Sequence, residues 1–161
     1  MKRKSLLFAL LFALLAPWAA NAQNRILITI GDGTATNYYP MPGYWGYQYD
    51  VYLYTPSVSE ELNESDCTIS SIAYDLSSIN ATSGAKIEIW LKDVEADYAL
   101  AAATTFAQYI DDATKVVDDD EFTTTETGWK TMTFTENFTH EAGMALLVAV
   151  RGVGCTGSGG C

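Results

Sequence analysis

Ala85-Lys86-Ile87-Glu88-Ile89-Trp90-Leu91-Lys92-Asp93-Val94 alternates with a period of two. In an extended chain Ile87, Ile89 and Leu91 point to one side, and Lys86, Glu88, Trp90 and Lys92 to the other. Wound as a helix, the same residues would scatter around the axis. The stretch therefore predicts a strand with one face on a core. The same period recurs outward in both directions. Towards the N-terminus, Thr68 to Leu76 places Ile72, Tyr74 and Leu76 together, Gln48 to Tyr54 sets Tyr49, Val51 and Leu53 against Asp50, Tyr52 and Tyr54, and Arg25 to Ile30 is rich in β-formers. Towards the C-terminus come Lys115 to Phe122 and then Trp129 to Thr135, with Lys130, Met132 and Phe134 against three threonines. Met144 to Val150 is a nearly continuous apolar run, the pattern of a central strand buried on both faces.

Gly31-Asp32-Gly33, the loop Pro40 to Gly46, Ser83-Gly84 and Thr127-Gly128 punctuate these segments as turns. Ser57 to Leu62 predicts one helical turn, with Ser57 as cap and Glu60 three residues on; alanine-rich Tyr98 to Phe106 suits a short helix. No crossover helices separate the strands, so an all-parallel sheet is excluded. The expectation is an all-β, antiparallel β-sandwich, jelly-roll-like and lacking its last strand.

Residues 1–22 have the three parts of a secretory signal: Lys2-Arg3-Lys4, the apolar run Leu6 to Ala16, and Ala20-Asn21-Ala22 before a cut at Gln23. The run is short for a membrane span. An exported extracellular or cell-surface module over 23–153 is expected, with 154–161 as a Gly/Cys-rich tail that starts a linker or a missing C-terminal part. The 161 residues carry a formal net charge of −11, and three of the nine basic residues lie in the signal. So acidic a chain without a basic run excludes nucleic acid and anionic lipid surfaces as partners. The single histidine excludes multi-histidine metal centres. Three cysteines are an odd number for an exported chain. Cys155 and Cys161 flank a flexible Thr-Gly-Ser-Gly-Gly and can close a disulfide, leaving Cys67 as a small apolar strand residue; the alternative is a partner cysteine beyond residue 161.

Ile30-Gly31-Asp32-Gly33-Thr34, Tyr44-Trp45-Gly46-Tyr47 with the Ser-Glu-Glu-Leu that follows, Ile87 to Lys92, Ala113 to Val117, Gly128 to Phe134, and Leu146-Leu147-Val148 to Arg151-Gly152 occur in that order. Together they resemble a β-sandwich module of secreted and surface proteins of Bacteroidetes. The resemblance implies an adhesin-associated, type IX secretion cargo-like module of a longer chain, here as an N-terminal fragment. It implies neighbouring domains as partners and no catalytic residues.

Seven of the ten tyrosines, with Trp45, fall between Tyr38 and Tyr54. Electron-rich rings stack on the C–H faces of sugars, and phenols hydrogen-bond sugar hydroxyls. The ordinary role for Tyr49, Tyr52 and Tyr54 is strand packing. Tyr44, Trp45 and Tyr47, flanked by glycines, are the candidate ligand-binding residues, with a glycan or a host or matrix protein as ligand. Asp111, Asp112, Asp118 and Asp119 are candidate ligands for Ca²⁺, the one cofactor considered, although their spacing is not that of an EF-hand. Their ordinary role is to guard strand edges with charge. His140 beside Glu141 reads as a turn, no nucleophile sits in a strand-to-helix elbow, and the carboxylates are too many for any pair to be singled out. The sequence therefore favours a non-catalytic binding module over a structural spacer, and a spacer over a small secreted glycoside hydrolase.

Overall fold

The computed structural model describes residues 27–30, 47–58, 60–76 and 82–153. They form six strands: β1 (Tyr47–Tyr54), β2 (Cys67–Leu76), β3 (Thr82–Val94), β4 (Thr114–Thr124), β5 (Gly128–His140) and β6 (Ala145–Val153). A four-stranded antiparallel sheet has the order β1-β6-β3-β4, and β2 pairs with β5 in a second antiparallel sheet. The two pack face to face as an all-β sandwich. A jelly roll has eight strands in two Greek keys; the six strands of the described residues establish the sandwich and not that finer topology.

The alternation read in β3 sets the layers. Ile87, Ile89 and Leu91 point inward with Leu146, Val148 and Val150 of β6, and meet Met132, Phe134 and Phe138 of β5 across the core. Ile69, Ile72 and Tyr74 of β2 and Tyr52 and Tyr54 of β1 pack around them. Strand β6 is central and buried on both sides, with Ala145, Leu147 and Ala149 in a second cluster on the outer face. That cluster exists because Tyr98, Phe106, Tyr109 and Ile110 of the β3–β4 connection fold over Trp90 and Val94. Two apolar layers thus clothe one sheet.

Strand β4 departs from strict alternation. Ile89 pairs with Val117 but Trp90 pairs with Lys115, so Val116 is an extra residue, and both valines face the core. Two further shifts interrupt this pairing, between Thr82 and Ala85 and between Ala85 and Ile87.

Several local expectations need correction. Leu27 to Ile30 carry no strand, and Leu27 is almost fully exposed. A 3-10 turn occupies Pro56–Val58, and the helix α1 spans Glu60–Glu64, so Ser57 lies inside the turn rather than capping a helix. The alanine-rich stretch makes a turn instead of a helix, with the Thr104 N–H donating to the Ala101 carbonyl, and α2 (Phe106–Tyr109) begins only where Thr105 supplies a cap: its side chain accepts from the Gln108 backbone N–H while the Gln108 side chain accepts from that of Thr105. His140 ends β5 rather than sitting in a turn, and it is fully buried.

Candidate functional site

Because directly paired residues in a sheet share a face, the register defines rows across the outer side of the four-stranded sheet. One row runs Tyr49, Arg151, Glu88, Asp118; the next runs Val51, Ala149, Trp90, Lys115; before them lie Tyr47, Val153 and Lys86. The second cluster roofs the end of the sheet near Val94 and leaves the end near Tyr47 open.

At this open end, Glu88 is nearly inaccessible, and its carboxylate gathers the surrounding cations. Lys115 Nζ donates to Oε1 at 2.7 Å and Arg151 Nε to Oε2 at 2.5 Å. Lys86 Nζ lies 2.7 Å from both Asp118 Oδ1 and Asp120 Oδ1. The hydrogen bond to Glu88 is the chief cause that pushes the Lys115 ammonium above its ordinary range; Asp118 and then Asp120 do the same for Lys86. Lys86 and then Lys115 hold the Asp118 carboxyl below its ordinary 3.8. Lys86, Lys115 and Arg151 offset the charges of Glu88, Asp118 and Asp120.

An aromatic series crosses the same face. Tyr47 and Tyr49 have ring centroids 6.2 Å apart, Tyr49 meets the edge of Phe106 at 5.1 Å, and Phe106 meets Trp90 at 5.8 Å. Lys115 and Arg151 lie over the Trp90 ring at 5.3 and 5.4 Å, which fixes the buried end of the series. The other end is open: Tyr47 is 63% exposed and Tyr49 52%. Two partly exposed rings thus stand side by side on β1, beside the Glu88 network.

Of the sequence candidates, Tyr47 is therefore on an exposed sheet face. Tyr44 and Trp45 lie outside the described residues, as do Cys155 and Cys161. Tyr49, assigned to packing by its alternation, joins Tyr47 in the open, whereas Tyr52 and Tyr54 do pack the core. The four aspartates do not converge. The Asp111 carbonyl accepts from Lys92, while Asp118 sits across from Glu88, four residues along β3 or roughly 13 Å away. Among the described residues no group of three or more His, Cys, Asp or Glu could hold a metal ion.

The sequence pattern concealed three features. Glu88 looked like a solvated strand residue, because its cations come from β4 and β6. Trp129 is 63% exposed on the outer side of β5, opposite Asp75 of β2. Asp93 joins His140 between the sheets: Oδ1 lies 2.5 Å from Nδ1, and Oδ2 accepts from the Glu141 backbone N–H at 2.8 Å. Cys67, the cross-strand partner of His140, is a half-buried free thiol. Burial, then Asp93 and Asp66, push that thiol up, against the thiolate a nucleophile needs.

No protein family, no curated protein and no solved structure matches the chain. Among the described residues no helix is long and apolar enough to cross a membrane.

Proposed function

We propose that the chain is an exported, non-catalytic β-sandwich module that binds a glycan through the outer face of its four-stranded sheet, as part of a secreted or cell-surface protein. One observation carries this reading. Tyr47 and Tyr49 remain exposed on β1 although the alternate residues of the same strand, Tyr52 and Tyr54, are packed. Neighbouring exposed rings on a rigid support offer stacking area at little entropic cost, since the strand is already ordered. The charge-balanced surroundings suit a neutral, hydroxyl-rich ligand better than an ionic one. The signal at 1–22 supports export, and the ordered resemblance to Bacteroidetes surface modules supports a place in a multidomain adhesin.

Affinity electrophoresis of the chain through gels containing neutral polysaccharides tests the reading. The wild-type chain should be retarded, and the Tyr47→Ala/Tyr49→Ala variant should not. If each ring contributes about as much as a ring contributes to an aromatic pair, about 0.5–1.5 kcal/mol, losing two weakens binding roughly tenfold or more. Free migration of the wild-type chain in every gel would favour a structural spacer.

A further inference from the structure

The core between the sheets closes unevenly around its margin. Its fully buried members come from β3, β4, β5 and β6. All five partly buried hydrophobics packed against it, Tyr52, Tyr54, Ile69, Ile72 and Tyr74, lie on β1 and β2. One sheet has four strands and the other two, and among the described residues β2 is paired on one side only. The core is therefore least closed where a further strand beside β2 would lie. Edge strands are ordinarily protected by charge or by cover. Strand β4 has both: Asp118, Asp119, Asp120 and Glu121 lie along it, and its Val116 and Thr123 carbonyls accept from Thr135 Oγ1 and Lys130 Nζ of β5. Strand β2 carries neither a charge nor a proline from Cys67 to Tyr74, and Asp75 is its single acid. Beyond the bulge between Ile69 and Ser71, Ser71 to Leu76 is a regular stretch of strand.

The same chain holds a strand-forming segment that pairs with nothing. Arg25-Ile26-Leu27-Ile28-Thr29-Ile30 is rich in β-formers. Yet Leu27 to Ile30 belong to no strand, and Leu27 is 88% exposed and Ile30 40%. Extended, the segment sets Ile26, Ile28 and Ile30 against Arg25, Leu27 and Thr29.

We infer that residues 25–30 of one copy add as an antiparallel strand to the free edge of β2 in a second copy, so that the chain associates with itself by strand addition. Charge and alternation select the register. With Arg25 opposite exposed Asp75, Ile26 falls opposite Tyr74 and Ile28 opposite Ile72, on the core side. Leu27 and Thr29 then fall opposite Ala73 and Ser71 on the outer side, and Ile30 reaches the bulge. The isoleucines close the margin of the core, and the one charge of the segment meets the one acid of the edge. The free edge of β1 does not suit. Its single acid, Asp50, lies on the inner side, where Gln48 donates to it, so matching Arg25 to it would turn the charge inward and the isoleucines out. The occupant is a second copy because within one chain Leu27 to Ile30 and the β2 edge are both left unpaired, while each copy carries both halves of the contact. The inference does not depend on the outer face of the four-stranded sheet.

Sedimentation velocity of the exported chain tests it, over a wide range of concentration and with a reductant so that disulfides cannot link copies. The wild type should form dimers or longer assemblies that dissociate on dilution. Ile28→Lys puts a charge on the core side of the added strand; it should be monomeric and should melt with the diluted wild-type monomer, whose fold does not use the segment. Arg25→Asp and Asp75→Arg should each weaken association roughly fivefold or more, and the two together should restore it. A wild type that is monomeric at every concentration, or association retained by Ile28→Lys, would overturn the inference. An Ile28→Lys variant that melts well below the wild-type monomer, or fails to fold, would overturn it by showing that the strand adds within one chain. A charge-swapped double variant that associates no better than either single one would overturn it as well.

Discussion

Asp93 of β3 and His140 of β5 face each other across the sandwich, with Oδ1 2.5 Å from Nδ1, so that one carboxylate joins the two sheets at the end of the molecule away from Tyr47. The second oxygen of Asp93 accepts the backbone N–H of Glu141, which fixes the start of the turn into β6. Replacing Asp93 by Ala strands both donors, in or near the core. A loss of about 1–3 kcal/mol is expected for leaving a buried polar group unsatisfied, seen as a melting temperature several degrees lower in a domain of this size. The glycan retention proposed for the far end of the other face should be unchanged in native gels.

Glu88 makes a separate case, because it is inaccessible while its partners are partly open. Glu88→Gln keeps the volume and removes the charge, so Lys115 and Arg151 lose a charge-assisted acceptor. A destabilisation of about 1–3 kcal/mol is expected from denaturant unfolding. If the network also positions the outer face, the same variant weakens glycan retention without touching Tyr47 or Tyr49. Retention unaffected by Glu88→Gln would confine the network to stability.

Asp50 should have the opposite sign. Burial raises its folded-state pKa above the unfolded 3.8, so the favourable, protonated state is fully present below the unfolded value and is lost as pH rises through the folded one. Near neutrality the carboxylate therefore works against the fold. Asp50→Asn, which can still accept from Gln48, should raise the melting temperature at neutral pH, with a gain that shrinks towards zero as pH falls below the ordinary carboxylate range. A gain independent of pH would show that charge is not its cause.

Calcium provides a fourth check. Asp118 is held by Lys86 and Lys115 within β4, and Asp111 and Asp112 precede that strand. A metal site needs six to eight converging oxygens, so melting with calcium and with a chelator should give the same temperature. A rise with calcium would show that these aspartates act together.

The sandwich was legible where side-chain periodicity alone decides the structure. The alternation of β3 and the unbroken apolar run of β6 gave the central strands and the inward residues. Period-two reasoning failed where geometry is not local. Val116 is an inserted residue in β4, invisible as such until Ile89 and Trp90 are paired with their partners. Trp90 falls on the polar side of β3 and is buried because Tyr98 and α2, in the connection that follows β3, fold back over it. Arg25 to Ile30 has the composition of a strand, but composition supplies no pairing partner. The aromatic concentration before Tyr54 drew attention to β1, yet exposure divides between Tyr49 and Tyr52 by their register with Arg151 and Val148. The Asp93–His140 and Glu88 contacts join residues whose meeting only the fold determines.

Neutral-polysaccharide affinity electrophoresis of the wild-type chain beside Tyr47→Ala/Tyr49→Ala is the most direct test of the central claim. Retardation of the wild type, lost in a double variant that still melts cooperatively, is the predicted result. A wild-type chain that migrates freely in every gel, or a double variant retarded as strongly as wild type, would contradict it.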